Sequence, residues 1–394
     1  MMKNKIKELS ASLKDQLVDS RRYLHQYPEL AFEEFKTAAF IKSQLDDWGI
    51  SYRDQVAKTG VVAEIKGLNP DKETFVLRAD MDGLPIRQEN DVAYKSLHDG
   101  KMHACGHDVH TTCVLGACKI LNDIKAHFQG TVRVLFQPSE EKLPGGASVM
   151  IKEGVLENPV PSAIIGQHVF PELEAGKIGF RSGMYMASCD ELYFKVIGKG
   201  GHAALPHKLI DPIEIAAQIV LALKALPDHS PPQVPTVLSI GKIEGLGATN
   251  VVPNDVYMEG TLRTMDEAWR AQMHHFIKDA AETVSKQLGG ECEVRIEKGY
   301  PYLKNDECLT HLCENWAKEF LGEDKVVEIP ERMTAEDFAY YTHHLPGCFY
   351  RLGVKNEALN ITSPVHTSTF DVDEKCLEVG ASLMAFIAYK YLNQ

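Results

Sequence analysis

The sequence predicts an α/β protein: a larger α/β/α domain with a mixed, mostly parallel sheet, into which a smaller α+β domain is inserted. Two observations lead there. Short apolar runs of strand length alternate with helix-length periodic segments through roughly the first 180 residues, and again after about residue 299. Between them the segments follow one another as β-α-β-β-α-β, the ferredoxin-like order.

In chain order, Leu9, Leu13, Leu17 and Leu24 recur near helical spacing until Pro28 stops the run. Phe35, Ala39, Ile41, Leu45 and Trp48 mark a second helix, closed by Gly49. Residues 61–65 and 75–77 read as strands, 109–124 as a helix, and 132–136 and 163–165 as buried strands. The pattern then changes. Strands at 192–197, 234–243, 256–263 and 292–296 are interleaved with helices at 212–226 and 267–288. A strand at 349–352 and a helix at 374–391 complete the chain. The expected division is therefore 1–187 with 299–394 as the larger, discontinuous domain, and 188–298 as the insert.

Composition bounds the function. A chain of 394 residues that is 44% hydrophobic and 25% charged has the makings of two packed domains. Forty-two Lys and Arg against 55 Asp and Glu leave a net charge of −13, the wrong sign for nucleic acid or an anionic membrane surface. Nine cysteines without framework spacing suggest reduced thiols and a cytoplasmic protein. No apolar run reaches the ~18 residues of a membrane span, and the first residues lack the apolar core of a signal peptide.

The densest polar segment is His103-Ala-Cys105-Gly-His107-Asp108-Val-His110, at the entry to a helix. Thiolate and imidazole are the donors that borderline divalent metals take. Other candidates follow strand-like runs: Asp80 and Asp82 after 75–77, Glu140 and Glu141 after 132–136, His168 after 163–165, and His366 in a loop after 349–352. Ligands collect beyond the carboxyl ends of strands in open α/β sheets. An adjacent Glu pair leaves a strand in two directions, so one carboxylate can bind metal while the other moves protons. Asp80 and Asp82 could ligate or support a ligating imidazole, and support is the favoured reading because cysteine and histidine already supply ligands. The G-x-G-x-x-A pattern from Gly198 to Ala203 is not a dinucleotide loop, because Leu205-Pro206-His207 separates it from the next helix. It reads as a glycine-rich loop presenting His202.

These motifs resemble, from end to end, the metallopeptidase family of aminoacylases, hippurate hydrolases, indole-acetyl-amino-acid hydrolases and N-acetyldiaminopimelate deacetylases (family M-twenty, subfamily D). The carrying segments are Arg78-Ala-Asp-Met-Asp82-Gly-Leu-Pro-Ile86, Met102-His-Ala-Cys-Gly-His-Asp108, Phe136-Gln-Pro-Ser-Glu-Glu141, Gly166-Gln-His-Val-Phe-Pro171, Gly200-Gly-His-Ala-Ala-Leu-Pro-His207, Asn250-Val-Val-Pro253, Gly260-Thr-Leu-Arg263, Ala335-Glu-Asp-Phe338 and His366. The resemblance implies a metallohydrolase fold with two divalent ions per subunit (zinc, manganese, cobalt or nickel), held by Cys105, His107, Glu141, His168 and His366. It implies Glu140 as general base and acid, with Asp82 as a supporting carboxylate. The inserted domain would act as lid and dimer interface. It would bring His202, by family precedent from the neighbouring subunit, to the developing oxyanion, and Asn250 and Arg263 to the substrate carboxylate. The implied reaction is hydrolysis of N-acyl amino acids by a homodimer, with a tetramer left open. Alternatives are a dipeptidase or carboxypeptidase of the same family, and a non-catalytic metal-binding dimer. Lys142-Leu143-Pro144 stands where the family commonly has a glycine run, and Ser139 where many members have alanine.

Overall fold

The computed structural model describes residues 1–394, which form two compact units: residues 1–183 with 304–330 and 337–394, and residues 184–303 with 331–336.

The first unit is built on an eight-stranded sheet in the order Ser51–Val56, Gly60–Lys66, Thr131–Gln137, Thr74–Asp80, Ala163–Glu174, Gly347–Lys355, Ile178–Phe180, Val326–Glu328. Its four middle strands, Thr131–Gln137 to Gly347–Lys355, run parallel; Gly60–Lys66 and Ile178–Phe180 join them antiparallel on either side, and the edge strands Ser51–Val56 and Val326–Glu328 pair antiparallel and parallel, respectively, with these two. Thr74–Asp80 and Thr131–Gln137 are buried at every position. Parallel strands covered on both faces need such unbroken apolar runs, which Phe75-Val76-Leu77 and Val132 to Phe136 supply. The helices His107–Asp123 and Lys375–Leu392 pack on this sheet and on each other. Gly380 allows that approach, since a Cβ there would lie 2.6 Å from Sγ of Cys113.

The sequence reading named no helix at Gly146–Lys152 or Glu307–Leu321, and three further details differ from it. The first helical run is two helices, Met2–Ser12 and Lys14–Gln26, broken at Leu13. Ser51–Val56 is an added edge strand whose residues are mostly exposed, so it has no apolar pattern to announce it. His168 lies inside a strand rather than past its end, because Ala163–Glu174 continues for twelve residues along Gly347–Lys355, with His168 opposite Arg351.

The second unit has the β-α-β-β-α-β order. Its antiparallel sheet is arranged Thr236–Glu244, Asp255–Thr264, Asp190–Ile197, Glu291–Lys298. Leu192, Phe194 and Val196 alternate inward from the central strand, and meet Ile215 and Ile219 of one helix and Met273 and Ile277 of the other. Both helices start on an aspartate cap. Asp211 accepts from Ile213 N–H ahead of Pro212, and Asp266 accepts from Trp269 N–H. No helix in either unit is long and apolar enough to cross a membrane.

Candidate metal centre

Gly106 begins the site. Its φ of +80° turns the chain between Cys105 and the helix starting at His107, and a Cβ there would lie 2.6 Å from Val169. Cys105 and His107 thus face the same space from either side of a tight turn. His168 enters from the neighbouring strand with Nε2 3.4 Å from Cys105 Sγ. His366 enters from its loop at a φ of +63°, with Nε2 3.3 Å from Cys105 Sγ and 3.0 Å from Glu141 Oε1. His107 Nε2 lies 3.9 Å from the same Glu141 oxygen. All five residues predicted as ligands therefore come together in the first unit, in overlapping groups whose donor atoms lie within 4.8 Å of one another. Glu140 joins His107 and Glu141 in one of these groups.

Two of the imidazoles, His107 and His168, are oriented from behind. His107 Nδ1–H donates to Asp82 Oδ1 at 3.1 Å, and its Nε2 is buried without a hydrogen bond. His168 Nδ1–H donates to the Val169 carbonyl at 2.8 Å, which leaves the Nε2 lone pair toward Cys105. Asp82 also accepts the N–H groups of Glu140 and Glu141, one on each oxygen, at 3.0 Å. Asp80 is committed elsewhere. Its Oδ1 takes His110 Nδ1 at 2.6 Å and its Oδ2 takes Arg78 Nη1 at 2.6 Å.

The electrostatics favour a cation. Burial would depress His107, but Asp80, Asp82 and Glu141 outweigh it and hold the ring up to about 10. Burial pushes the Cys105 thiol well up, and the carboxylates of Glu141, Glu140 and Asp80 add to this. Burial and Arg351 keep His168 neutral, well below the usual histidine range. A thiol, three imidazoles and a carboxylate around a buried, unbonded nitrogen make a donor set that fits divalent metal ions.

Three predicted residues lie in the second unit. His202 pairs with Val251 in a two-stranded ladder, and Asn250 sits beside it, its carbonyl accepting from Ala203 N–H at 3.0 Å. Arg263 lies on Asp255–Thr264, opposite Val237. His202 and Asn250 are exposed and Arg263 is half-buried.

Sequence reasoning assigned no role to Arg78 or Asp337, although both stand in quoted motifs. Buried Arg78 bridges Gln137, Asp80 and Asp337, and Asp337 N–H donates to Glu140 Oε1 at 3.4 Å. An arginine inside a strand of otherwise buried residues was the available signal.

Fold and donor set define a metal-dependent hydrolase of amide bonds. The family model described as Peptidase family M20/M25/M40 matches residues 76–390, and the chain belongs to that family. It is 38% identical to the N-acetyl-L-cysteine deacetylase of Bacillus subtilis over 97% of this chain and 89% of that protein. It is also 38% identical to the IAA-amino acid hydrolase ILR1-like 4 of Arabidopsis thaliana, over 96% of this chain and 86% of that one. Among solved structures, the Bacillus subtilis YxeP protein, described as a dinuclear metal binding peptidase, superposes with a TM-score of 0.83 at 34% identity, covering 97% of this chain and 99% of that chain.

Proposed function

We propose that this protein hydrolyses the amide bond of N-acyl amino acids, with an acetyl or aromatic acyl group, to a carboxylate and a free amino acid. The observation that carries this reading is Glu140, a carboxylate only 5% exposed, beside the cluster and not needed to complete it. Two relatives described above act, by their names, on acylated amino acids.

On this reading Cys105, His107, Glu141, His168 and His366 hold two divalent ions, of zinc, manganese, cobalt or nickel. Such ions polarise an amide carbonyl and bring the pKa of water toward neutrality. Glu140 accepts the proton of the attacking water and returns it to the leaving amine, with the Asp337 N–H on Oε1 fixing its aim. Asp82 keeps His107 in one tautomer and holds the peptide N–H groups of the Glu pair. His202 accepts from Ala204 N–H on Nδ1, so the neutral ring carries its proton on Nε2, the donor needed for a developing oxyanion. Arg263, with its planar fork, and Asn250 take the substrate carboxylate.

The second unit is the proposed dimer interface. Ile213 and Leu221 of its first helix, and Val237 and Ile243 of its edge strand, are exposed large apolar residues, and an open strand edge invites pairing with a second copy. All nine cysteines are free, in keeping with a cytoplasmic protein.

The test is a panel of N-acetyl and N-benzoyl amino acids and dipeptides, assayed with each of the four metals, with Glu140→Gln alongside. N-acyl amino acids are expected to be the best substrates and Glu140→Gln to be nearly inactive, with its metal content unchanged. Clear preference for dipeptides would turn the reading to the peptidase that the YxeP description suggests. No turnover at all would leave a metal-binding scaffold.

A further inference from the structure

Glu34 is fully buried, and no lysine, arginine or histidine pairs with it. It precedes the helix Phe35–Asp47 yet does not cap it. Glu29 takes that role, its Oε2 accepting from Lys36 N–H at 2.8 Å and Thr37 N–H at 2.9 Å. The Glu34 carboxylate is spent elsewhere. Oε1 accepts from Phe32 N–H and from Ser139 N–H, each at 2.9 Å, and Oε2 accepts from the Thr59 hydroxyl at 2.6 Å.

Both backbone donors to Oε1 belong to non-glycine residues in the left-handed region, Phe32 at φ +60° and Ser139 at φ +52°. Such a conformation is costly for residues with a Cβ and persists only where its surroundings impose it. Ser139 immediately precedes Glu140 and Glu141. With Asp82 taking the next two N–H groups, three successive peptide donors, 139 to 141, end on two buried carboxylates. On the other side of the same residue, the Ser139 carbonyl accepts from Gly146 N–H at 2.8 Å.

We propose that Glu34 is a positioning residue for hydrolysis: by holding the left-handed Ser139 peptide through Oε1 it sets the direction in which Glu140 and Glu141 leave the strand Thr131–Gln137. The proposal rests on the reading of Glu140 as base and Glu141 as metal ligand. Burial of Glu34, with the nearby charge of Asp82, lifts its carboxyl to about 7, so the group sits there against its own solvation. Its hydrogen bonds to Phe32, Thr59 and Ser139 are what offset that cost.

The test uses Glu34→Gln, Glu34→Ala, Glu34→Asp and Glu140→Gln in the full-length protein, with turnover normalised to folded, metal-loaded enzyme. Glutamine keeps an acceptor for both N–H groups and turns its amide toward the Thr59 oxygen, so kcat is expected within about threefold of native. Alanine removes the acceptor. Aspartate keeps the buried charge but is one methylene too short to reach Ser139, and serves if the alanine variant does not fold. Both are expected to lower kcat by roughly 10–100-fold with little change in KM, the scale of a small misplacement of a reacting group. In metal-free protein, amide exchange at Ser139–Glu141 should rise in the alanine and aspartate variants and not in the glutamine variant. Native kcat in either the alanine or the aspartate variant overturns the proposal, as does a loss in the glutamine variant equal to that in the alanine variant, since glutamine keeps the acceptor for Ser139 and gives up only the charge. If Glu140→Gln itself keeps native turnover, the reading of Glu140 fails; if it is inactive while the Glu34 variants are native, the proposal about Glu34 fails alone.

Discussion

Asp82 and His107 are locked together: Oδ1 of Asp82 lies 3.1 Å from Nδ1 of His107, and that bond turns Nε2 toward Glu141, 3.9 Å away. One carboxylate therefore fixes both the tautomer of the His107 ring and the two peptides that carry the Glu pair. Asp82→Asn can present its amide N–H₂ to Nδ1 and so reverse the tautomer, and it can no longer accept from both peptides. Metal affinity is expected to fall about 10–100-fold, the usual cost of losing the partner behind a ligating histidine. Competition with a chelator of known affinity measures it. Unchanged affinity would mean that the Asp82–His107 bond does not orient the ring.

Asp337 anchors the opposite side of Glu140. Its oxygens accept from Arg78 Nη2 at 2.6 Å, from Gln137 Nε2 at 2.7 and 2.8 Å, and from Ala147 N–H at 2.9 Å, all away from water. Asp337→Ala takes one buried carboxylate from the Arg78 guanidinium, which keeps Asp80 on Nη1, and takes the acceptor from Gln137 Nε2 and Ala147 N–H. Breaking a buried pair from one side costs about 3–5 kcal/mol when the remaining charge is left uncompensated, and about 1–3 kcal/mol where, as here, a second carboxylate stays in place. Denaturant unfolding of the variant should show a loss of that size, and Asp337→Asn, which keeps an acceptor, a smaller one. A loss below about 1 kcal/mol for the alanine variant would show that Asp80 and Gln137 already satisfy Arg78 without Asp337.

Arg78 and Asp337 also mark where sequence reading stops. The apolar strand cores and the candidate ligand motifs were legible, because each candidate lies close to an apolar run or in a turn whose chemistry is local. Cys105 and His107 needed only the glycine between them. Glu34 reaches Ser139 across 105 residues and Arg78 reaches Asp337 across 259. Such pairs are set by which strands and loops become neighbours, and no periodicity carries that information. His168 shows the opposite limit. The apolar run 163–165 correctly marked a strand, but Gln167 and His168 read as polar loop residues. They stay in the strand because Gly347–Lys355 supplies backbone partners along its length. The broken first helix belongs to the same class, since leucine spacing continues unchanged through the break at Leu13.

Asp190 governs the acid stability of the second unit. It is buried and accepts from Arg270 Nε at 3.0 Å and from Arg270 Nη2, from His274 Nε2 at 2.6 Å, and from Gly299 N–H at 3.1 Å. Burial alone would raise its carboxyl. The hydrogen bonds from His274 and Arg270, with the charge of Arg270, outweigh that and hold it down to about 2. A carboxylate depressed on folding stabilises the native state above its unfolded pKa near 4, and that contribution is lost as pH falls through the folded value. A displacement of this size corresponds to about 2 kcal/mol at neutral pH. The stability of this unit should therefore decline between about pH 4 and pH 2, followed through Trp269, its single indole. Asp190→Asn should be less stable than the native protein at pH 7 and should not show that decline, so the two curves approach each other near pH 2. Parallel curves separated by a constant amount down to pH 2 would show that Asp190 is not the titrating group.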